Sequence, residues 1–234
     1  MPDHTRSSAD VVRRWTIPVG RLACNCSIVA DPASGDCLVI DPGDDTESEG
    51  QGGLGQILDC LRDNHLRVAA IAITHAHIDH IGAAARLKRL TGAPLLLQPR
   101  DQEIYGMLED QAGWLGIPLP ATASVDAPLR DNEPVRAGGM RFDVLETPGH
   151  TPGSACLYLA SAGQLFAGDT LFAGSIGRTD LPGGDMAQIV HSVHSKLLVL
   201  PDATLVIPGH GRETTIGAER ATNPFLTGRR AQFR

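Results

Sequence analysis

Residues 68–80 read VAAIAITHAHIDH, and this stretch predicts both the local architecture and the position of the functional site. Its first six residues, 68–73, are apolar and leave no polar face, which predicts a short strand buried on both sides. His75 and His77 follow directly. Because residues i and i+2 of an extended chain point the same way, these two imidazole rings can bind one metal ion.

A helix is predicted directly after this strand. Residues 81–90 contain three consecutive alanines and two leucines, and Thr91-Gly92 ends the run. Asp79 and His80 lie at the turn into that helix, where they cannot easily reach the ion held by the two earlier histidines. They can reach a second ion nearby, so one strand-turn-helix segment predicts a two-metal site.

Three more residues of metal-binding type follow farther along the chain. His150 lies between two Pro-Gly turns, Asp169 follows a short strand at 164–167, and His210 follows a strand at 204–207. Imidazole and carboxylate ligands suit zinc, iron and manganese. We therefore assign two ligand shells that share one aspartate: His75, His77, His150 and Asp169 for one ion, and Asp79, His80, His210 and Asp169 for the other.

Scattered surface histidines are the alternative to this site, because a lone histidine is usually a surface or core residue. Three histidines and an aspartate within six residues argue against that alternative. Two cations roughly 3.5–4 Å apart can share one water and lower its pKa to about 7. Asp79 and Asp169 are the predicted catalytic residues of this centre, with Asp169 as the bridge between the ions.

Composition limits the class of protein. The 234 residues, 42% of them hydrophobic, fit one large domain, predicted over 15–234 after a polar, flexible tail at 1–14. A net charge of −7 argues against a nucleic-acid partner, and no apolar stretch reaches the ~18 residues that span a membrane. Five irregularly spaced cysteines and the lack of a secretory signal predict reduced thiols and a cytoplasmic protein. Nothing in the sequence indicates an oligomeric state.

The order of elements predicts two packed β-sheets with helices outside, because a purely parallel, doubly wound sheet would alternate strands and helices more regularly. Helices are predicted at 54–66 and 186–200, and residues 101–119 are interpreted as helices near the site. The remaining predicted segments are a hairpin turn at 31–36, an acidic, glycine-rich loop at 44–53, and strands at 15–19, 26–31, 37–40, 93–98, 140–146 and 155–160.

The His-x-His-x-Asp-His block, the later His150, Asp169 and His210, and their order resemble the metallo-β-lactamase superfamily over residues 17–226. This resemblance implies an α/β fold, an αββα sandwich of two mixed β-sheets with helices on the outer faces. Within the superfamily, the chain most resembles the glyoxalase II-like thioesterases, or hydroxyacylglutathione hydrolases. The stretches that carry this closer resemblance are Val39-Ile40-Asp41-Pro42-Gly43, Gly177-Arg178-Thr179-Asp180, Pro208-Gly209-His210-Gly211 and residues 219–225.

One departure from this subgroup concerns the end of the chain. The long enzymes carry a C-terminal helical domain that helps to hold glutathione. Only 24 residues follow His210, so the chain resembles the short, single-domain type. The identity of the thiol carrier is therefore left open.

Three residues outside the ligand set are candidates for supporting roles. By analogy with the family, Asp41 braces the loop at 75–80, and the alternative is a plain turn aspartate. The forked guanidinium of Arg178 can hold a substrate carboxylate. The alternative is an internal ion pair between Arg178 and Asp180 that shapes their own loop.

The predicted function is hydrolysis of an S-2-hydroxyacyl thioester, such as S-lactoylglutathione, by attack of a metal-bound hydroxide. The cofactors are two divalent ions, zinc first with iron or manganese as alternatives, and the partner is a small-molecule thioester. The closest rival is a persulfide dioxygenase with one iron. In those enzymes Pro-Ala tends to precede the last histidine, whereas here Pro208-Gly209 precedes His210.

Other functions fit the sequence less well. A lactone or ester hydrolase would suit the same machinery. A non-catalytic metal-binding domain is disfavoured because every expected ligand is present, and a flavodiiron role is disfavoured because the block contains no glutamate ligand. His65, His191 and His194 are interpreted as helix residues outside the site, and Cys24-Asn25-Cys26 as structural, because no second cysteine pair or spaced histidine completes a site.

Overall fold

Two six-stranded β-sheets pack face to face and carry helices on their outer sides. The structure is a computed structural model that describes residues 12–44 and 53–227. Within these residues no helix is long and apolar enough to cross a membrane. The predicted αββα sandwich of two mixed sheets is confirmed.

The first sheet follows chain order, with two antiparallel junctions and then three parallel ones. Its strands are β1 Arg13–Val19, β2 Cys24–Ala30, β3 Asp36–Ile40, β4 Arg67–Ile73, β5 Leu95–Leu97 and β6 Ala127–Pro128.

The second sheet has the order β14-β13-β10-β9-β8-β7, and only its β10–β13 junction is parallel. A separate small hairpin joins β11 Leu171–Phe172 to β12 Ser175–Ile176. The strands of the second sheet are β7 Val135–Ala137, β8 Met140–Glu146, β9 Ala155–Leu159, β10 Gln164–Gly168, β13 Leu205–Pro208 and β14 Thr214–Thr215.

Alternation of buried side chains along the strands builds three apolar layers. Leu38 and Ile40 of β3 point between the sheets, where Phe142 and Phe166 pack with ring centroids 6.2 Å apart. Val39 points to the other face of the first sheet, in the apolar cluster that includes Leu54 and Ile57 of the first helix. A third apolar layer joins the second sheet to the last two helices. The helices are α1 Leu54–Asp63, α2 Ile78–Ile81, α3 Ala84–Thr91, α4 Gln102–Gly106, α5 Leu108–Leu115, α6 Met186–Ser192 and α7 Ile216–Thr222.

The predicted tail at 1–14 is too long. Arg13 and Arg14 belong to β1, where they pair with Ala30 and Val29 of β2. Residues 1–11, and residues 45–52 of the predicted acidic loop, lie outside the described residues. The domain boundary at 15–234 stays a prediction.

The predicted helix at 81–90 begins earlier and is broken. The carbonyl of His77 accepts hydrogen bonds from the N–H groups of His80 and Ile81, so Asp79 and His80 lie inside the one-turn helix α2. Gly82 ends this turn and α3 starts afresh at Ala84. The second half of the metal-binding block, with Asp79 and His80, therefore occupies a short helix of its own.

Two other helix predictions ran too far. The helix predicted at 54–66 ends at Asp63, because His65 has a positive φ of 54° that a helix cannot contain. The helix predicted at 186–200 ends its α-helical part at Ser192 and continues as a π-turn over Val193–Leu197. Neither change moves a predicted ligand.

Candidate metal centre

Five segments of the chain bring the seven predicted ligands to one edge of the sandwich. His75 and His77 follow β4, and Asp79 and His80 lie in α2. The other three come from distant parts of the chain: His150 from the turn between β8 and β9, Asp169 from the end of β10, and His210 from the end of β13.

Three imidazoles form the first group. The Nε2 atom of His150 lies 3.2 Å from Nε2 of His75 and 3.0 Å from Nδ1 of His77. A zinc ion with bonds of 2.0–2.1 Å to nitrogen requires its tetrahedral ligands to be about 3.3–3.4 Å apart. These three nitrogens therefore lie at the spacing that one ion needs.

Two imidazoles and a carboxylate form the second group. Nε2 of His210 lies 3.3 Å from Nε2 of His80 and 3.1 Å from Oδ2 of Asp79. The remaining edge, between His80 Nε2 and Asp79 Oδ2, measures 3.8 Å. This second triangle also has the size of a metal shell.

Asp169 lies between the two groups. Its Oδ1 is 3.4 Å from Nε2 of His80, and its Oδ2 is 3.7 Å from His150 and 3.8 Å from His210. Oδ1 is buried and has no hydrogen-bond partner in the structure. A buried carboxylate oxygen without a partner is costly, so this atom fits a cation that would satisfy it.

Gly209 keeps the space beside this oxygen open. A Cβ atom at position 209 would lie 2.2 Å from Oδ1 of Asp169 and 2.6 Å from Cε1 of His80. Any side chain would therefore push into the candidate site. The requirement for glycine here gives a physical reason for the Pro208-Gly209-His210-Gly211 sequence.

Electrostatics prepare His75, His77 and the two aspartates to act as ligands, whereas at His80 and His210 the effect of burial is overcome by neighbouring acidic groups, which raise the pKa of both rings. Burial, followed by the positive charges of neighbouring histidines, lowers the pKa of His75 well below its usual range. Burial is also the main cause that lowers the pKa of His77 to about 3. Burial alone would raise the pKa of Asp79 and Asp169, but the neighbouring His80 and other histidines lower it overall. The imidazoles of His75 and His77 thus keep free lone pairs, and the two aspartates stay ionised.

Asp41 makes the contacts expected of a brace. Its Oδ1 accepts from the N–H of Thr74 at 2.8 Å, and its Oδ2 accepts from the Thr74 hydroxyl at 2.7 Å. The same Oδ2 lies 3.0 Å from Nδ1 of His80. Because Nδ1 is held in this way, the opposite ring nitrogen of His80 faces the other ligands.

Two backbone carbonyls orient ligands in the same manner, and no motif predicted them. The carbonyl of Arg178 lies 2.7 Å from Nδ1 of His150, and that of Leu22 lies 3.1 Å from Nδ1 of His210. A carbonyl oxygen can only accept, so each ring donates from Nδ1 and presents Nε2 to the site.

The side chains of Arg178 and Asp180 form an exposed ion pair. Nε and one terminal nitrogen of the guanidinium donate to the two carboxylate oxygens at 2.7 and 2.8 Å. The pairing lowers the pKa of Asp180 to about 2. Arg178 still borders the pocket beside the ligands, so its role toward substrate stays a prediction.

Cys24 lies closer to the site than the sequence indicated. Its thiol is 3.5 Å from Nδ1 of His80, within a group that also includes His210. Burial raises the pKa of this thiol to about 12, so it is protonated at neutral pH. Because it faces Nδ1 rather than Nε2, it lies behind the ligand. His191 and His194 are exposed on the helix, away from the site.

A cavity of about 500 Å³ opens onto the ligands. Asp101, Gln111 and Trp114, which the sequence analysis assigned no role, all lie around this centre. They belong to the segment 101–119, where no motif marked them. The cavity is lined by Leu22, His77, Ile78, Asp79, Gln111, Trp114, Leu115, His150, Asp169, Arg178, Leu181 and His210.

A family model described as the metallo-beta-lactamase superfamily matches residues 19–210, from the end of β1 to the last predicted ligand. The chain belongs to the metallo-β-lactamase superfamily. Members of this superfamily bind divalent metals, in agreement with the histidine clusters of the structure.

Two curated relatives of this superfamily member match along almost their whole length. An uncharacterized protein of Aquifex aeolicus is 44% identical over 214 residues, which cover 89% of this chain and 94% of the relative. The hydroxyacylglutathione hydrolase GloC of Haemophilus influenzae is 36% identical over 217 residues, which cover 90% of this chain and 96% of the relative. The resemblance to the hydroxyacylglutathione hydrolases is thereby confirmed.

Three solved structures show the same fold. The BLEG-1 B3 metallo-beta-lactamase is 35% identical with a TM-score of 0.83, covering 92% of this chain and 100% of that one. The di-iron-bound form of TTHA1623 is 38% identical with a TM-score of 0.78, and the match covers 91% of this chain and 100% of that one. ETHE1 from Myxococcus xanthus is 26% identical with a TM-score of 0.74, and the match covers 93% of this chain and 85% of that one.

Proposed function

We propose that this protein is a metal-dependent hydrolase that cleaves an S-2-hydroxyacyl thioester. The observation that carries the proposal is the buried carboxylate of Asp169, which lies between two ligand triangles and whose Oδ1 accepts no hydrogen bond from the described residues. This arrangement suits two ions with a shared carboxylate. The similarity to the Haemophilus hydroxyacylglutathione hydrolase supports the choice of substrate class.

The two ions are divalent, with zinc as the first choice and iron or manganese as alternatives. The di-iron form of TTHA1623 supports iron as one of these alternatives. His75, His77 and His150 would hold one ion, Asp79, His80 and His210 the other, and Asp169 would contact both.

The bound ions would supply a hydroxide at neutral pH and polarise the scissile carbonyl. Asp79 and Asp169 would supply two ionised carboxylate ligands. They lie beside the Nε2 atoms of His80, His150 and His210, which carry the lone pairs of the imidazole ligands. Asp41 fixes the ring of His80 from behind. The protein thus supplies orientation and charge before substrate arrives.

The cavity wall fits a good leaving group. Apart from the predicted ligands, the described residues that line it include no carboxylic acid, histidine or lysine. A thiolate needs little protonation as it departs, so a thioester can be cleaved there without a separate general acid. Lactones and activated esters would suit the same wall and form a wider substrate class.

A persulfide dioxygenase is the second candidate. The structural similarity to ETHE1, at 26% identity, favours it. Such an enzyme would use one iron, whereas here Asp79 and His210 lie 3.1 Å apart beside His80 and complete a second triangle. That second triangle favours the hydrolase.

Metal analysis of protein purified without air, run beside two assays, tests the proposal. One assay follows the loss of thioester absorbance with S-lactoylglutathione and other S-lactoyl thioesters, and the other follows oxygen uptake with glutathione persulfide. We expect two ions per chain and thioester hydrolysis. One iron per chain with oxygen uptake would replace the hydrolase with the dioxygenase.

A further inference from the structure

The wall of the cavity opposite the metal ligands is apolar. Leu22 and Trp114 are 45% and 58% exposed, although large hydrophobic side chains are usually buried. They face the same cavity as three further apolar side chains, so this wall is a continuous surface that reaches the ligands. The apolar wall consists of Leu22, Ile78, Trp114, Leu115 and Leu181.

Polar groups beside the apolar wall are already engaged. The amide of Gln111 donates to the carbonyls of Ile104 and Ala76, and its oxygen accepts from the N–H of Ile78. Among the described residues that line the cavity, Arg178 is the one cation, and Asp180 neutralises it through two hydrogen bonds. The lining residues therefore offer no uncompensated positive charge to an anionic ligand, and the guanidinium of Arg21 beside them is directed to the carbonyl of Leu115.

We infer that the thiol carrier of the substrate is apolar and uncharged where it lies against this wall. The inference rests on the proposed thioester hydrolysis and names the chemical class of its leaving group. A 2-hydroxyacyl group is small, so most of a cavity of about 500 Å³ remains for the carrier. Glutathione carries two carboxylates and one ammonium group, and such charges lose hydration beside Leu22 and Trp114 without gaining a partner.

Three S-lactoyl thioesters of alkyl thiols separate the carrier classes: one of 2-phenylethanethiol, one of N-acetylcysteamine and one of glutathione. The first carrier is apolar, the second is small and neutral, and the third is charged. We expect kcat/KM to be at least tenfold higher for the phenylethyl ester than for the glutathione ester. A higher kcat/KM for the glutathione ester would overturn the inference.

Variants of the apolar wall provide the residue-level test. Trp114→Ala and Leu22→Ala should each lower kcat/KM for the phenylethyl ester by about five- to fiftyfold, because the ligand loses apolar contact area. The N-acetylcysteamine ester, which covers less of the wall, should lose less kcat/KM than the phenylethyl ester in both variants. Leu90→Ala, at a 54% exposed leucine on α3 outside the cavity lining, is the matched control and should change neither ester. Equal effects of Leu22→Ala and Leu90→Ala would contradict the inference.

Binding without turnover distinguishes failure of this inference from failure of the proposed function. Non-hydrolysable S-(2-hydroxypropyl) thioethers of the same three thiols can be titrated into the metal-loaded protein by calorimetry. Tighter binding of the phenylethyl thioether, lost in Trp114→Ala, supports the apolar carrier site even if no thioester is hydrolysed. Tighter binding of the glutathione thioether overturns the carrier class and leaves the hydrolase intact if its ester is cleaved.

A second inference comes from a buried carboxylate behind the first ligand group. Asp101 is 0% exposed and lies at the end of the 3₁₀ turn Pro99–Asp101. Its Oδ2 accepts from the N–H of Ala76 at 2.8 Å and from the hydroxyl of Thr151 at 2.9 Å. Its Oδ1 accepts from the N–H of Gly153 at 2.6 Å. One side chain thus joins the segment of His75 and His77 to the turn that carries His150.

Gln111 of α5 extends this contact along the ligand segment. It accepts from the N–H of Ile78 at 2.8 Å, as Asp101 accepts from that of Ala76. Asp101 and Gln111 therefore hold the N–H groups of Ala76 and Ile78. Because the backbone there is extended up to His77, the side chains of His75 and His77 lie on the same side of it, and the two contacts fix the peptide groups that directly follow these two histidines.

We propose that Asp101 is a positioning residue for the ion of His75, His77 and His150. Asp101→Asn keeps the size of the side chain but turns an amide NH₂ toward backbone N–H donors. We expect affinity for that ion to fall about 10- to 100-fold, as is typical for groups that orient metal ligands. The ion of the other triangle should keep its affinity, and excess metal should restore kcat with little change in KM.

The surviving ion in Asp101→Asn can be identified by its spectrum. Cobalt-loaded Asp101→Asn should match His150→Ala, which lacks a ligand of the first group, and not His210→Ala, which lacks a ligand of the second. Thr151→Val removes one of the three hydrogen bonds without a change of shape, and should give a weaker form of the same defect. Asp31→Asn is the matched control, since Asp31 also accepts three hydrogen bonds, in a turn away from the site.

A purely structural role would give a different result. It would lower the affinity for both ions equally, or lower unfolding stability with no change in metal affinity, and either outcome would remove Asp101 from the positioning residues. If Asp101→Asn does not fold, the same chelator titration of Thr151→Val decides the question, and unchanged affinity there would reject the proposal.

Discussion

Replacement of Asp41 by alanine should weaken the ion held by Asp79, His80 and His210. In the structure the Asp41 carboxylate accepts two hydrogen bonds from Thr74 and one from the ring of His80. The variant removes the group that fixes the orientation of His80. It leaves the N–H of Thr74 buried without a partner and the Thr74 hydroxyl with only the ring of His75, 3.1 Å away. Metal affinity and unfolding stability should therefore both fall, for separate reasons.

The magnitudes follow from these three contacts. A hydrogen bond to a charged group contributes about 1.5–3 kcal/mol, and about 1.4 kcal/mol corresponds to a factor of ten in affinity. Loss of the contact at 3.0 Å from Nδ1 of His80 should thus weaken that ion about 10- to 150-fold. The unsatisfied N–H of Thr74 adds about 1–3 kcal/mol to the loss in the free energy of unfolding.

Competition with a chelator measures the first effect, and urea unfolding of the metal-free protein measures the second. Asp31→Ala is the matched control, because Asp31 accepts hydrogen bonds from Ala33, Ser34 and Gly139 but contacts no predicted ligand. We expect unchanged metal affinity in that control. If Asp41→Ala also keeps both ions at wild-type affinity, Asp41 is only a turn residue and the bracing argument is refuted.

Three further predictions concern the same site. Elemental analysis of the fully loaded protein should give two divalent ions per chain, and a single iron would contradict the two-triangle geometry. Asp169→Ala should lose tight binding of both ions and nearly all activity, whereas His191→Ala on the exposed helix face should keep its metal; similar losses in both variants would show that the site is misplaced. Arg178→Lys and Asp180→Asn should lower kcat/KM together and by less than about fivefold on charged and neutral thioesters, because an ion pair this exposed contributes little. A ten- to hundredfold loss in Arg178→Lys that is confined to the charged thioester would instead assign Arg178 to a substrate carboxylate.

The pattern of residues was sufficient to predict the two-sheet architecture and the set of ligands. Apolar runs such as 68–73 and 164–167 mark buried strands because side-chain burial follows the period of the backbone. The spacing of His75 and His77 is a local property of extended chain, so it needs no knowledge of the rest of the fold. Such features are encoded within a few residues and can be read directly.

Helix limits were predicted less well, for reasons that lie in tertiary contacts. Gly43 makes two backbone hydrogen bonds at the break between α2 and α3. Its carbonyl accepts from the N–H of Ala83, and its own N–H donates to the carbonyl of His80. The predicted tail at 1–14 was too long because Arg13 pairs with Ala30 across a strand junction. Both contacts join segments that are distant in sequence.

The chemistry available at the site follows from the residues themselves, because the chain carries five imidazoles and two carboxylates at strand ends and turns. How those groups are held, and what lies beside them, depends on the tertiary contacts. Asp101 and Gln111 hold the ligand segment from about 25 to 35 residues away, and Trp114 forms the cavity wall, although no local motif marks any of the three. A hydrogen-bond partner or a cavity wall depends on which residues lie close together in space, and a periodic pattern along the chain does not specify this.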